Sequence, residues 1–202
     1  NLKNITADEN FDTFSLSWYN NADVDPATGL TPYINMQKVL KVCHDFVDNF
    51  DNIFSNLLFI GQTGVGKTFL SNCIARALMD SCHSIIYLTA GEFFDSFKSD
   101  DFKEFGSSKF DTSFFVECDL LIIDDLGTEK ASDYNFSNLF NTINERLLRR
   151  KSIIISSNLE MPDIETRYSQ RIFSRLVSAY SILRLFGDDI RCMKKLSPTK
   201  RS

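Results

Sequence analysis

Histidine is scarce in this sequence, and neither of its two copies supports a metal site. His44 and His83 each follow a cysteine directly, so a zinc site would need two distant Cys-His pairs to converge, and we do not expect one. The five cysteines are odd in number and form no CxxC pair, which disfavours a disulfide framework. We therefore expect a reduced, cytoplasmic protein.

Long apolar runs and a positive net charge are also absent. No apolar run has membrane-spanning length and there is no signal peptide, so we expect no membrane partner. The net charge of −5 argues against tight nonspecific binding of nucleic acid by the whole surface. The chain does not begin with methionine, and we expect it to be a fragment or a processed chain.

The 202 residues, of which 43% are apolar, suffice for one sizeable α/β domain. We predict a polar, turn-rich leader at residues 1–31, the domain at residues 32–196 and a basic tail at residues 197–202. The tail is either a solvated end or a binding arm. Four apolar residues of the leader could dock it onto the domain: Phe11, Phe14, Leu16 and Tyr19.

Apolar runs alternate with helical periodicity along the domain. We predict strands at residues 57–60, 85–88, 120–123, 153–156 and 182–185. We predict helices at residues 33–50, 67–80, 135–149 and 164–179, and two shorter ones around a loop at Gly106. This alternation predicts a five-stranded, mostly parallel sheet covered by helices on both faces.

A phosphate-binding motif follows the first predicted strand. Its sequence, GQTGVGKT, satisfies G-x-x-x-x-G-K-[ST], and its glycines let backbone amides turn toward phosphate oxygens. Lys67 would reach the β- and γ-phosphates, and the Thr68 hydroxyl would bind Mg²⁺. The residues predicted to bind ATP or ADP are Gly61, Gln62, Thr63, Gly64, Val65, Gly66, Lys67 and Thr68.

Two carboxylates, Asp124 and Asp125, follow the third predicted strand. Asp124 would hold Mg²⁺ through water, and Asp125 would orient or deprotonate the attacking water. Two acids after an apolar strand alone also fit an exposed turn, but together with the phosphate loop they favour the catalytic interpretation. Glu129 is a weaker candidate for the base, or a surface residue.

With these motifs in place, the chain resembles the AAA+ ATPases, and within them the DnaC/DnaI helicase-loader family, with the IstB transposition helpers as near relatives. The resemblance covers nearly the whole chain, from Phe11 to Arg191. It rests on the blocks FDTFSLSWY, NLLFIGQTGVGKTFLSNCIARAL, SIIYLTAGEFFD, CDLLIIDDLGTE, INERLLRRKSIIISSNLE, YSQRIFSRL and LFGDDIR. It implies a P-loop AAA+ three-layer sandwich that lacks the C-terminal helical lid.

The resemblance also implies roles for three further residues. Asn158 matches the sensor-1 position, which helps to place the lytic water, although an asparagine there could instead cap a turn or helix. Arg175 matches the arginine finger that completes the neighbouring subunit's site, and Arg191 matches sensor 2. Since Arg167, Arg171 and Arg175 are four residues apart, one helix would carry them on one face. That face is solvated or meets an anion, and Arg171 could be the finger instead.

The chain departs from the family pattern in two ways. The pair Asp124-Asp125 replaces the usual Asp-Glu, which predicts slow, switch-like hydrolysis. The expected absence of the lid excludes an initiator of the DnaA kind with its duplex-reading helix-turn-helix. The family's helicase-binding region lies N-terminal to this domain, and we expect it to be missing from this chain.

Single-stranded DNA is a partner that the resemblance implies, gripped near residues 87–97. Phe93, Phe94 and Lys98 are available for stacking and charge, although phenylalanines at helical spacing also fit a core. A denser basic cluster fits either DNA or a solvated helix end: Arg146, Arg149, Arg150 and Lys151.

Motifs and resemblance together predict an ATP-dependent loader of the replicative helicase. Such a protein would use ATP and Mg²⁺, act on the helicase and on single-stranded DNA, and form a homo-oligomer with ATP at subunit interfaces. Two alternatives stay open. An IstB-like transposition helper shares every motif, and a P-loop small-molecule phosphotransferase would be active as a monomer.

Overall fold

A computed structural model describes residue 6, residues 8–98 and residues 112–196. In these residues helices and strands alternate as the sequence pattern predicts. The strands are β1 (Leu57–Ile60), β2 (Ile85–Thr89), β3 (Leu120–Leu126), β4 (Ser152–Ser157) and β5 (Ser181–Arg184). The helices are α1 (Pro32–Asp48), α2 (Lys67–Asp80), α3 (Ala90–Lys98), α4 (Phe114–Glu117), α5 (Asp133–Arg149), α6 (Met161–Arg167), α7 (Gln170–Ala179) and α8 (Ile190–Leu196), with a short 3-10 helix at Leu16–Trp18.

The described strands form one sheet in the order β2-β3-β4-β1-β5, and every neighbouring pair is parallel. β1 lies inside the sheet, with Leu57 opposite Ile154 of β4 and Ser181 of β5. Because parallel strands end at the same edge of a sheet, the loops that follow β1, β3 and β4 meet there. The phosphate motif, the two aspartates and Asn158 belong to these loops and strand ends.

Side chains of the central strands alternate between two apolar cores. Leu58 and Ile123 pack into the core that also contains side chains of α3, α5, α6 and α7. Phe59 and Ile122 pack into the other core, with side chains of α1, α2 and the leader. All residues of β1 and β4 are buried, as expected for strands covered on both faces. The molecule is thus the three-layer α/β sandwich that the resemblance implies.

The leader packs against the domain, as its apolar residues predict. Tyr19 is buried, and its hydroxyl donates a hydrogen bond to the Val65 carbonyl oxygen at 3.1 Å. The Phe14 ring lies edge-on to Phe69 of α2, with centroids 5.6 Å apart, and Phe11 stacks on His44 of α1 at 4.2 Å. The middle of the leader therefore lies beside the phosphate motif.

The single helix predicted at residues 164–179 is wrong. Two helices, α6 and α7, occupy this stretch, because Tyr168 adopts extended backbone angles (φ −104°, ψ 148°) between them. The Tyr168 ring is buried in the core, so a tertiary contact sets the break. Arg167 therefore does not share one helix with Arg171 and Arg175, and the predicted row of three arginines does not exist.

The helix α8 was missed by the sequence pattern. Its start is fixed by Asp189, whose Oδ1 accepts hydrogen bonds from the backbone amides of Arg191 at 2.9 Å and Cys192 at 3.2 Å. The amide of Ile190 also donates to the Gly64 carbonyl oxygen at 3.1 Å. This short helix therefore packs on the phosphate loop and carries Arg191 to it.

Several residues considered for DNA contact belong to the core instead. Phe93 and Phe94 are 0% and 1% exposed, so neither can stack on a base. Arg146 is 0% exposed, and its guanidinium donates to four backbone carbonyls, so the solvent-facing basic cluster predicted to include it is wrong on this point. Lys98, Arg149 and Arg150 are exposed.

Other sequence expectations concern membranes, thiols and metals. Among the described residues, no helix combines the length and apolarity needed to cross a membrane. The five cysteines all lie in the described part of the chain and are free. That part contains no group of three or more His, Cys, Asp or Glu side chains able to hold a metal ion. The predicted loop at Gly106 and the predicted tail lie outside the described residues.

Candidate functional site

The loop between β1 and α2 has a backbone that only glycine tolerates. Gly61 and Gly64 have φ angles of 144° and 83°. A Cβ atom on Gly61 would clash with the Leu185 carbonyl oxygen, and one on Gly64 would clash with the Asp189 carboxylate. Both glycines therefore let the Leu185 backbone and the Asp189 side chain pack directly against the loop. The loop leads directly into α2.

Lys67 is held over the loop by three short hydrogen bonds. Its Nζ atom donates to the carbonyl oxygens of Gly61 at 2.6 Å and Gln62 at 2.7 Å, and to Asn158 Oδ1 at 2.6 Å. Burial lowers the pKa of the Lys67 ammonium to about 8, although the charges of Asp125 and Asp124 oppose that shift. The side chain is thus a partly desolvated cation at the mouth of the phosphate loop.

Asp124 and Asp125 differ sharply in their surroundings. The Asp124 carboxylate is 4% exposed and accepts hydrogen bonds from the Tyr87 hydroxyl at 3.0 Å and from the Ser156 hydroxyl. Asp125 has a positive φ of 56° and lines the central cavity, where Asn158 Nδ2 donates to its Oδ1 at 3.4 Å. Burial, followed by the charge of Asp124, raises the pKa of Asp125, which makes it a better proton acceptor than an exposed aspartate.

The cavity at this edge of the sheet measures about 170 Å³ and has both a polar and an apolar lining. Its polar lining includes Lys67, Thr68, Asp125, Asn158 and Arg191, which were all predicted as site residues. The structure therefore brings these five together in one cavity. Their elements are far apart in the chain but adjacent at the carboxyl end of the sheet.

The apolar lining of the cavity was missed by sequence reasoning. It includes Phe14 and Trp18 of the leader, Phe69 of α2 and the stem of Lys194 from α8. The Lys194 Nζ atom lies 5.7 Å from the Trp18 ring centroid and 5.8 Å from that of Phe69, within range of cation–π attraction. The FDTFSLSWY block was the available signal, because it contains these aromatic residues. Their contact with the phosphate motif forms only in the folded chain, so local sequence does not reveal it.

Two predicted residues lie elsewhere. Arg175 is exposed on α7 and lines a separate shallow groove with Arg171, next to Phe140. Neither arginine lines the cavity that holds Lys67. The interpretations of Glu129 as a base and as a surface residue are both wrong. Its side chain is 3% exposed and binds Gly127, Arg167 and Tyr168.

The oxygen atoms near the phosphate loop suit Mg²⁺. Mg²⁺ is bound in nucleotide sites by one or two protein oxygens plus phosphate and water, so it needs no cage of protein ligands. The Thr68 hydroxyl at the first turn of α2 lines the cavity, whereas Asp124 is 4% exposed and is not among the residues that line it. Both residues carry oxygens of the type that a magnesium–nucleotide complex needs.

Comparison with known families gives a match over most of the chain. The family model described as "IstB-like ATP binding protein" matches residues 30–197. The chain is also similar to the "Replicative helicase loader DnaC" of Escherichia coli (strain K12), at 23% identity over 151 residues that make up 74% of this chain and 61% of that protein. The chain thus spans less than two thirds of that relative's length.

Solved structures show the same fold at low sequence identity. The "Crystal structure of the DnaC helicase loader" matches with a TM-score of 0.71 at 21% identity, covering 89% of this chain and 98% of the other. The structure of a "Replication initiator DnaA bound to AMPPCP and single-stranded DNA" matches with a TM-score of 0.70 at 17% identity, covering 98% and 58%. These likenesses establish the AAA+ P-loop fold.

Proposed function

The chain belongs to the family of IstB-like ATP binding proteins, and on that premise we propose that it binds ATP with Mg²⁺ and hydrolyses it as a DnaC-like helicase loader. One observation carries the proposal: the phosphate loop, Asp125, Asn158 and Arg191 surround a single cavity. That constellation matches the parts that phosphoryl transfer requires, namely positioning and charge stabilisation.

Each polar residue of the cavity has a role in this proposal. The amides of residues 61–68 hold the phosphate oxygens, and Lys67 binds the β- and γ-phosphates. Thr68 and Asp124 hold Mg²⁺, which neutralises charge on the phosphates when bound. Arg191 contacts the γ-phosphate from α8, and the nucleobase lies on the apolar lining against Phe14 and Trp18.

Hydrolysis then follows from the two residues nearest the attacking water. The water oxygen forms a bond to the γ-phosphorus while the bond from that phosphorus to the bridging oxygen breaks, which leaves ADP and phosphate. Asp125 accepts the proton that the water loses, in line with its raised pKa. Asn158 helps to orient the water, since its amide lies between Lys67 and Asp125.

The site is proposed to be completed by a second copy of the chain. Arg175 is exposed on α7 and does not line the cavity, so any nucleotide site that it serves is a neighbouring subunit's. An arginine supplied in trans raises phosphoryl-transfer rates by about 10³–10⁵-fold in well-studied systems. We therefore assign Arg175 to the neighbour's γ-phosphate, with Arg171 as the alternative.

A mixing experiment tests this shared site. Lys67→Ala protein keeps Arg175 but cannot use its own site, and Arg175→Ala protein has the opposite defect. Each should be nearly inactive alone, and equimolar mixing should restore ATPase activity that rises with protein concentration. Arg171→Ala in place of Arg175→Ala distinguishes the two arginines. Absence of rescue with both would refute the shared site, and activity independent of concentration would favour a monomeric phosphotransferase.

The partner is proposed from the relatives. DnaC, which this chain resembles, is named for loading the replicative helicase, and a structural neighbour carries single-stranded DNA. The family match is equally compatible with a transposition helper. A pull-down by the full-length protein, with purified replicative helicase and transposase as competing prey, separates the two. We propose residues 32–196 as the ATP-binding domain and the leader as a wall of its cavity.

A further inference from the structure

Glu129 occupies a buried position between the nucleotide cavity and the arginine helix α7. Its Oε2 atom accepts a hydrogen bond from the Gly127 amide at 2.8 Å. Its Oε1 atom accepts one from the Tyr168 hydroxyl at 2.6 Å and faces Arg167 Nε at 3.4 Å. A carboxylate that is 3% exposed thus has a separate partner for each oxygen.

The Oε2 side connects to the catalytic loop. Gly127 follows Asp125 by two residues and has a φ of 109°, and a Cβ there would lie 2.7 Å from the Leu159 side chain. Leu159 directly follows Asn158. The loop between is further fixed by Thr128, whose hydroxyl donates to the Asp125 carbonyl oxygen at 2.9 Å. The Gly127 amide therefore lies two residues after Asp125 and next to Leu159, the residue that follows Asn158.

The Oε1 side connects to the helix that presents Arg171 and Arg175. Tyr168 forms the break between α6 and α7, its ring is 1% exposed, and it packs edge-on against Phe136 at 5.3 Å. Arg167 also donates to the Glu129 carbonyl oxygen. Since α7 begins at Gln170, the carboxylate fixes the residues from which this helix starts.

From this double anchoring we infer that Glu129 is a positioning residue that aligns the α7 arginine with the neighbouring subunit's site. The inference rests on the proposed shared site. Glu129 does not line the cavity, and it acts through Tyr168 and Arg167 on one side and Gly127 on the other.

The substitution Glu129→Gln is a conservative test of this role. It keeps the size of the side chain, but its NH₂ group faces a donor whichever way the amide is turned, either the Gly127 amide or the Arg167 guanidinium. The hydrogen bond to Gly127 or the ion pair with Arg167 is therefore lost, although an NH₂ group turned toward Tyr168 can still donate to its hydroxyl. Tyr168→Phe is a second variant, which removes the 2.6 Å hydrogen bond and keeps the buried ring. Glu165→Gln, an exposed change on α6, is the matched control.

The experiment places Glu129→Gln in one member of the rescue pair at a time. In the arginine donor, Lys67→Ala, we expect the rescued ATPase rate to fall by about tenfold or more, because small misplacement of a catalytic group costs up to about 10²-fold. In the acceptor, Arg175→Ala, we expect less than about a twofold change on the same argument. Tyr168→Phe should reproduce the asymmetry, and Glu165→Gln should leave both rates unchanged.

Other outcomes overturn the inference. A fall of equal size in both placements, or in the acceptor alone, means that Glu129 serves its own site or general folding. An unchanged rescued ATPase rate with Glu129→Gln in the donor also overturns the inference. Failure of the parent pair to rescue activity is a different result, because it refutes the shared site itself. If Glu129→Gln does not fold, as judged by circular dichroism, Tyr168→Phe decides the matter in the same two placements.

Discussion

The Lys67 ammonium nitrogen lies 2.6 Å from the side-chain oxygen of Asn158, a residue 91 positions later in the chain. The contact exists because β4 lies between β1 and β3, so the end of β4 faces the phosphate loop on one side and Asp125 on the other. One amide thus contacts both the cation proposed to bind phosphate and the carboxylate proposed to bind the attacking water.

The lowered pKa of Lys67 predicts a pH dependence of ATP binding. In the protein without nucleotide, the pKa of Lys67 is lowered to about 8, whereas a lysine that contacts phosphate keeps its proton. ATP binding above pH 8 therefore requires proton uptake. The dissociation constant for ATP should therefore rise about tenfold between pH 7 and pH 9. Calorimetric titration in buffers of different ionisation enthalpy measures both affinity and proton uptake.

A matched control strengthens that measurement. Lys38 is exposed on α1, so Lys38→Met should give the same pH profile as the parent protein. An ATP affinity that stays constant from pH 7 to pH 9 would contradict the placement of Lys67 against phosphate.

Trp18 should report nucleotide binding directly. It is the single tryptophan of the chain and lines the cavity, so its emission should change on ATP addition and saturate. Trp18→Ala should weaken ATP binding about tenfold or more, because stacking of a base on an aromatic ring contributes about 1–3 kcal/mol. Trp18→Phe should retain most of the affinity. Equal affinity of the alanine variant and the parent would place the base elsewhere.

The Tyr87 hydroxyl should tune the magnesium requirement. It donates to Asp124 at 3.0 Å, and loss of such a partner of a metal-binding carboxylate costs about 10–100-fold in metal affinity. Tyr87→Phe should therefore raise the Mg²⁺ concentration for half-maximal ATPase activity by that factor. Tyr134→Phe is the control, because its hydroxyl bonds the Phe97 carbonyl on an exposed surface. A Mg²⁺ requirement shared by all three proteins would exclude this role of Tyr87.

Arg146 should contribute to stability rather than to DNA binding. Its guanidinium donates to the carbonyl oxygens of Phe115, Cys118, Asp119 and Ser152 at 2.6–3.0 Å. Arg146→Met would leave these acceptors without their donor and should lower the free energy of unfolding by about 3 kcal/mol or more. Arg149→Met, in an exposed pair with Glu145, should change it by less than about 0.5 kcal/mol. Urea denaturation measures both, and equal stabilities would refute the assignment.

The parts of the site that could be predicted are those fixed by local sequence. A parallel sheet brings strand ends together, so Lys67, Asp125 and Asn158 could be placed at one edge from the strands that precede them. Buried strands and helix faces followed from apolar periodicity for the same reason. Arg191 was placed by family resemblance alone, because the helix that carries it was not predicted.

The parts that could not be predicted depend on contacts between distant residues. Tyr168 and Ser169 are compatible with a helix, and the break there depends on the core and on Glu129. Arg146 follows Leu139 and Ile143 on the buried face of α5, but charge alone favours solvent, and only the convergence of four carbonyls reverses that preference. Trp18 and Lys194 meet only because the leader and α8 both reach the phosphate loop.

The parallel pairing of β1 also sets the order in which the protein can assemble during synthesis. Leu57 lies opposite Ile154 of β4 and Ser181 of β5, so β1 does not have both of its partner strands until translation has passed β5. Pairings this remote in sequence form slowly and leave apolar strands unprotected meanwhile. A nascent chain arrested before residue 181 would therefore have an incomplete cavity and an unpaired, apolar strand edge that is prone to aggregation.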